Sequence, residues 1–146
     1  MKRLLQPIVA LLAFSSPFAV CAAGGGISVT DARVYMVPPN TSMATITMVV
    51  HNQSTRERRL IGAHSPLATA VELHARLSEA AEDRRMREIP DIVVAAHGDA
   101  ALTPRGLHLM LIGLKEPLTE GEIVPLTLTF DGGGTIRVDA VVAAGP

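Results

Sequence analysis

The sequence has few aromatic rings and a single thiol. Among its 146 residues there is no tryptophan, one tyrosine, three phenylalanines and one cysteine, Cys21. A lone cysteine cannot build an internal disulfide framework. The chain also shows no glycine-rich phosphate loop, nucleophile elbow, HExxH motif or evident pair of catalytic carboxylates. We therefore expect a protein that is not an enzyme.

The first 23 residues have the layout of a secretory signal peptide. Lys2 and Arg3 precede a mostly apolar stretch from Leu4 to Val20, and small residues follow at Ala22 and Ala23. A basic start, an apolar middle and small residues at the cleavage zone are typical of exported proteins. We predict cleavage near Ala22 or Ala23 and localisation in the periplasm.

Two alternatives for this leader are weaker. An uncleaved membrane anchor needs about 20 consecutive apolar residues, and polar and proline residues such as Gln6, Pro7 and Ser15 interrupt this stretch. Lipidation at Cys21 is disfavoured because Val20 stands where a glycine or alanine is expected. We therefore expect no stable membrane insertion after cleavage.

Residues 24–146 are predicted to form one domain, since about 123 residues are too few for two independent cores. Cys21 leaves with the leader, so the domain has no thiolate and cannot hold a blue-copper centre. The chain has 13 basic and 14 acidic residues, and loss of Lys2 and Arg3 leaves 11 basic residues. A slightly acidic domain gives no support for nucleic-acid binding.

Short β-type segments, separated by glycine, proline and asparagine, make up most of this domain. This spacing is typical of an all-β sandwich or barrel. The segments are Ile27 to Met36, Ala44 to His51, Arg59 to Ala63, Ala70 to Leu77, Arg84 to Ile89, Ile92 to Ala95, Ala100 to Thr103, Leu107 to Ile112, Ile123 to Phe130 and Thr135 to Val142. The sequence from Ala75 to Arg87 has good helix propensity, but we interpret Ser78 to Asp83 as a hairpin loop. Pro38-Pro39-Asn40 is predicted to break the chain, and Gly132-Gly133-Gly134 to form a hairpin turn.

Leu107 to Leu111 alternates between leucine and the side chains of His108 and Met110. Successive side chains of a strand point to opposite faces, so His108 and Met110 should project together while the leucines enter the core. The same alternation puts His74 on the face opposite Leu73. Imidazole and thioether together are soft-leaning donors, and thioether sulfur favours Cu(I) over zinc, magnesium or calcium. A copper site is predicted if His74 and Met86 lie close to this pair.

The spacing of these four residues resembles that of a known family. His74 is followed by Met86 after twelve positions, by His108 after twenty-two more, and then by Met110. This order, with the flanks VELH and RMR and the run GLHLMLIGLKEPLTEGEIVPLTLTF, is similar to the periplasmic PCu(A)C copper chaperones, also written PCuAC. Residues DARV followed by a Pro-Pro pair also match, so the resemblance covers roughly residues 28 to 140.

The resemblance implies a cupredoxin-like Greek-key fold and one Cu(I) held by His74, Met86, His108 and Met110. It implies transfer of copper by ligand exchange to an acceptor, notably the CuA centre of cytochrome c oxidase subunit II, beside a thiol-bearing assembly factor. We expect a monomer. Ala75 replaces the methionine or polar residue found after the first histidine in many relatives, which should be harmless. The C-terminal residues lack the His- and Met-rich tail of some relatives, so no second copper site is expected.

Simpler explanations exist for each residue taken alone. A solitary histidine is more often structural, and methionine commonly fills irregular gaps in a core. His51, His64 and His97 are interpreted as solvated loop residues, and packing is favoured over a thioether patch for Met36, Met43 and Met48. Two other classes remain open: a metal-free β-sandwich interaction or assembly module of the cell envelope, and a redox-active copper protein, which the missing cysteine disfavours.

Overall fold

A computed structural model describes residues 25–36, 42–76 and 86–145. The predicted leader (1–23), the chain break at 38–40 and the hairpin loop at 78–83 lie outside these residues. The described part contains ten strands: β1 Ile27–Met36, β2 Met43–Asn52, β3 Arg58–His64, β4 Ala68–Arg76, β5 Met86–Glu88, β6 Ile92–Val94, β7 Gly98–Leu102, β8 His108–Leu114, β9 Ile123–Phe130 and β10 Thr135–Ala143. Each corresponds to one predicted segment, so the all-β prediction is confirmed.

Seven of these strands close into a barrel. The hydrogen-bonded order is β4-β8-β2-β1-β10-β9-β3, and β3 pairs again with β4 through Ala63 and Val71. The pairing of β1 with β10 is parallel, and the other pairings are antiparallel. The short strands β5, β7 and β6 extend the edges of β4, β2 and β3. No helix among the described residues is long and apolar enough to cross a membrane.

The barrel interior is filled by alternate side chains of the strands. Leu109 and Leu111 of β8 are fully buried, as are Ile46 and Met48 of β2. Burial of each such side chain is worth about 1.5–3 kcal/mol. The predicted alternation of β8 is therefore confirmed for the two leucines within the strand, and Met48 is a packing residue as expected.

The β9–β10 hairpin is closed by the turn predicted at the three glycines. A single 3-10 turn runs from Asp131 to Gly133, and Gly132 and Gly133 have φ values of 78° and 83°. Glycine adopts these values without the steric cost of a Cβ. Asp131 fixes the turn to β3, because its Oδ1 accepts from the backbone N–H of Arg59 at 3.0 Å and from Nε of Arg58 at 3.2 Å. These two bonds, the backbone one first, lower the pKa of Asp131.

Candidate metal centre

The centre of the candidate site is a cross-strand pair of histidines on the outside of the barrel. His74 of β4 lies directly opposite His108 of β8 in the antiparallel register. Their ring centroids are 5.8 Å apart and the rings are tilted by 52°. Directly opposite residues of an antiparallel pair have Cβ atoms about 4.5–5.5 Å apart. The ladder between β4 and β8 therefore sets the separation of the two imidazoles.

Met110 lies on the same face, two residues beyond His108. It is opposite Glu72 on β4 and Thr45 on β2. The hydroxyl of Thr45 donates to the sulfur of Met110 at 3.6 Å, which orients the half-buried thioether. A sulfur with one lone pair engaged in this bond still has a second lone pair for another partner.

Met86 begins β5, the edge strand paired with β4. His74 is opposite Glu88 and Arg76 is opposite Met86. Arg76 is two residues beyond His74 and therefore shares its face. Since residues opposite each other also share a face, Met86 lies on the same outer face as His74, at the diagonal position across the ladder. Its side chain is exposed, at 40 %. The register thus puts all four predicted residues on one face of the β5-β4-β8 sheet, and their role as ligands stays a prediction.

His108 is buried, with 1 % of its surface exposed. Its Nδ1 lies 3.1 Å from the carbonyl oxygen of Gly106. A carbonyl only accepts, so Nδ1 carries the proton and Nε2 carries the lone pair. Burial lowers the pKa of His108; the Gly106 bond opposes this shift, and the nearby charges of His74 and Arg76 add to it. The lowered pKa favours the neutral form of the imidazole, which is the form that can bind a metal.

His74 has the opposite arrangement. Its Nε2 lies 2.8 Å from Oε2 of Glu72. Its Nδ1 is buried and has no hydrogen-bond partner among residues 25–36, 42–76 and 86–145, and the same is true of Nε of Arg76 on the same face. Buried polar atoms without partners are rare in proteins, and each calls for an explanation. A metal ion would supply the missing partner of Nδ1.

The donors at this face fit a soft cation. Within the described residues, no three side chains drawn from histidine, cysteine, aspartate and glutamate converge as a metal-binding group. The histidine pair is accompanied instead by the thioethers of Met86 and Met110. Two imidazoles and two thioethers are all neutral donors, and thioether sulfur is a ligand of Cu(I).

The structure corrects two expectations about histidines. His51 is not a loop residue: it lies in β2, and its ring nitrogens contact Asp99 Oδ1 at 2.7 Å and Thr30 Oγ1 at 2.8 Å. His64 is exposed, but it is the last residue of β3 and not a loop residue, whereas His97 lies in an exposed turn, as expected.

Three residues of the site escaped the sequence analysis. Thr45 bonds the sulfur of Met110, Gly106 orients His108, and Arg76 places a guanidinium beside the histidines. Thr45 and Gly106 are ordinary strand and turn residues without a local signal. Arg76 could have been found, because it is two positions beyond His74 and therefore on its face.

Residues 27–142 match the family described as "Putative lipoprotein LpqE-like". The chain belongs to this family. The LpqE-like family is part of the PCuAC group, so the predicted family resemblance is confirmed.

One curated relative and two structures illustrate the match. "Putative lipoprotein Lxx21020" from Leifsonia xyli subsp. xyli is 30% identical over 89 residues, which are 61% of this chain and 54% of that protein; the match spans about half of the relative's length. The Cu(I) form of DR1885 from Deinococcus radiodurans is 33% identical with a TM-score of 0.66, covering 84% of this chain and 81% of that one. The copper-bound PCuAC domain from PmoF2 has a TM-score of 0.71 at 24% identity, covering 87% and 97%. That last likeness confirms the fold alone, which is the cupredoxin-like barrel predicted from the sequence.

Proposed function

We propose that this protein is an exported copper chaperone that binds one Cu(I) through His74, Met86, His108 and Met110. The observation that carries the proposal is the cross-strand histidine pair, in which one imidazole presents a buried nitrogen that has no hydrogen-bond partner in the part of the chain that the structure describes. Two thioethers share its face. The Cu(I) form of a protein 33% identical to this chain supports the choice of metal.

The donor set suits a carrier of Cu(I). Two neutral imidazoles and two neutral thioethers hold a monovalent soft cation and add no negative charge. Thiolates would bind it more strongly through their charge and would make release harder. The protein's part is therefore to bind and release copper by ligand exchange, with no chemical step to catalyse.

The proposed donors differ in solvent exposure, and this difference sets the order in which an incoming ligand displaces them from copper. His108 is 1 % exposed, whereas Met86 is 40 % exposed and lies on an edge strand. An incoming ligand from an acceptor reaches the Met86 side of the copper first. Met86 is then the first donor displaced, and His108 the last.

Arg76 gives this exchange a preference for anionic ligands. It is opposite Met86 in the β4–β5 ladder, and its charge acts on His108. A guanidinium beside the metal repels Cu(I) and attracts an approaching thiolate or carboxylate. The acceptors implied by the family resemblance fit this chemistry: the CuA centre of cytochrome c oxidase subunit II and a thiol-bearing assembly factor.

The place of action is proposed to be the periplasm. The leader has the features of an export signal, and both the family and the Leifsonia relative carry lipoprotein descriptions. Cleavage near Ala22 or Ala23 gives a protein without cysteine, whereas lipidation would retain Cys21. The intact mass of the exported protein distinguishes these outcomes, because an acylated Cys21 adds several hundred daltons that a simple cleavage does not.

The decisive experiment is an anaerobic Cu(I) titration against a chromophoric chelator, comparing the wild type with the Met86→Ala/Met110→Ala double variant. We expect one equivalent bound by the wild type and loss of that binding in the double variant. Met36→Ala is the matched control: Met36 is 42 % exposed, and it pairs with the buried Ala44, on the face away from Met110. Equal copper binding by the double variant and the wild type would refute the site. Absence of competition by the wild type would refute the function and favour a metal-free interaction module.

A further inference from the structure

The contact between Glu72 and His74 fixes the position of a proton. The two residues are two apart on β4 and therefore share a face, and Oε2 of Glu72 lies 2.8 Å from Nε2 of His74. An ionised carboxylate only accepts hydrogen bonds, so Nε2 must donate. In the neutral imidazole the lone pair is then on Nδ1, which is the buried atom that no other described residue contacts with a hydrogen bond.

The other histidine is fixed in the opposite tautomer. Nδ1 of His108 donates to the carbonyl of Gly106, so its lone pair is on Nε2. One ring of the pair is thus oriented by a carboxylate and the other by the backbone. Metal-binding histidines usually donate their second nitrogen to a carboxylate or a carbonyl, which orients the ring and raises its basicity. Both forms of support occur here within a single cross-strand pair.

We propose that Glu72 is a positioning residue that makes His74 bind copper through Nδ1, while His108 binds through Nε2. The inference rests on the proposed function and adds to it the ligand atoms and the residue that selects one of them. Glu72 also lies opposite Met110 on β8, so the carboxylate stands between two of the proposed donors without being one. Its negative charge strengthens the donor character of the imidazole that it holds.

Glu88 provides a matched comparison on the same face. It lies directly opposite His74 on β5, as close in the register as His108 on the other side. It is exposed, and its carboxylate makes no hydrogen bond to His74. Loss of charge at Glu88 therefore removes a carboxylate from the same face without disturbing the hydrogen bond that fixes the tautomer of His74.

Silver(I) is a suitable probe because it replaces Cu(I) in soft sites and its nuclear spin couples to bound nitrogen. In the ¹⁵N-labelled wild type, long-range ¹H–¹⁵N spectra should show the Nε2–H tautomer of His74 before metal is added. After one equivalent of Ag(I), we expect coupling to Nδ1 of His74 and to Nε2 of His108. Glu72→Ala should lose the single tautomer and weaken Cu(I) binding by about 10–100-fold. Glu72→Gln should recover part of that loss, because its amide oxygen still accepts, and Glu88→Gln should match the wild type.

Two outcomes would overturn this inference alone. One is silver coupling to Nε2 of His74 in the wild type, a result that does not depend on how any variant folds. The other is wild-type Cu(I) affinity in Glu72→Ala. If the wild type bound neither ion, the proposed function would fail together with this inference, so the two failures are distinguishable.

Discussion

The burial of His108 predicts how the stability of the metal-free protein depends on pH. Its pKa lies below the ordinary value of 6.5, chiefly because burial disfavours the charged ring. The unfolded chain therefore binds a proton at a higher pH than the folded chain does. The contribution to stability is complete above pH 6.5, is lost as pH falls from 6.5 towards the folded pKa, and is constant below it. The slope in that window approaches 1.4 kcal/mol per pH unit, the value of about one proton taken up on unfolding.

Urea unfolding of the metal-free wild type and of His108→Gln, measured every half unit from pH 7.5 to 5, tests this prediction. The variant should be less stable at pH 7.5, and the gap between the two should narrow as pH falls. The window lies above the range in which Asp131 titrates, since the pKa of that carboxyl is held below 3.8. His97→Asn is the control, because His97 is exposed in a turn with φ 51°, which asparagine tolerates. Parallel curves for wild type and His108→Gln would show that burial does not hold this imidazole neutral.

Three further predictions follow from other contacts. Met110→Leu keeps the volume of the side chain, so the free energy of unfolding of the protein should change by less than about 1.5 kcal/mol. Chelator competition should show loss of Cu(I) binding, and retained binding would exclude this sulfur as a ligand. Arg76→Gln removes a cation beside the site, so Cu(I) affinity should rise roughly 2- to 10-fold and stopped-flow transfer to a thiolate chelator should slow; faster transfer would contradict the proposed role. Asp131→Asn should lower the free energy of unfolding above pH 4 and remove the part of acid unfolding that occurs below pH 3.8. An acid transition unchanged from the wild type would show that the bonds to Arg58 and Arg59 contribute nothing.

The strands of this fold were predictable because each one carries its own pattern. Ile27–Met36 and Ile123–Phe130 are bounded as the sequence analysis expected, and the other predicted strands differ by one to three residues at their ends. Strand ends depend on how far the partner strand reaches, which alternation within one segment does not encode. The closure of the barrel was harder still, since it depends on the parallel pairing of β1 with β10 and on the single bridge from Ala63 to Val71.

The features of the site that could be predicted are likewise those encoded within a single strand, and those that depend on contacts between strands could not be predicted. His108 and Met110 followed from the alternation within one strand, whereas no local pattern placed Met86 beside them and only the family resemblance implied that it belongs to the same site. The burial of His108 could not be foreseen, because it depends on groups that other parts of the chain bring to this face, such as the His74 ring across the ladder. The single tautomer of each histidine was also beyond the sequence, because Gly106 acts through its backbone carbonyl and the contact of Glu72 with His74 depends on the folded positions of both side chains.

The dimensions of the proposed centre come from sheet geometry and not from loops. His108 and Met110 are two residues apart on one strand, a separation of about 6.5 Å along the backbone. His74 faces His108 across the ladder, and Met86 lies one diagonal step further on β5. Three of the four residues are therefore fixed by the paired strands β4 and β8, which belong to the closed barrel, and only Met86 lies on a short edge strand. A sheet that holds three donors rigidly and one at its edge can protect copper and still open on a single side. In the exchange proposed above, release of copper requires movement of the edge residue Met86 alone, and the barrel stays intact.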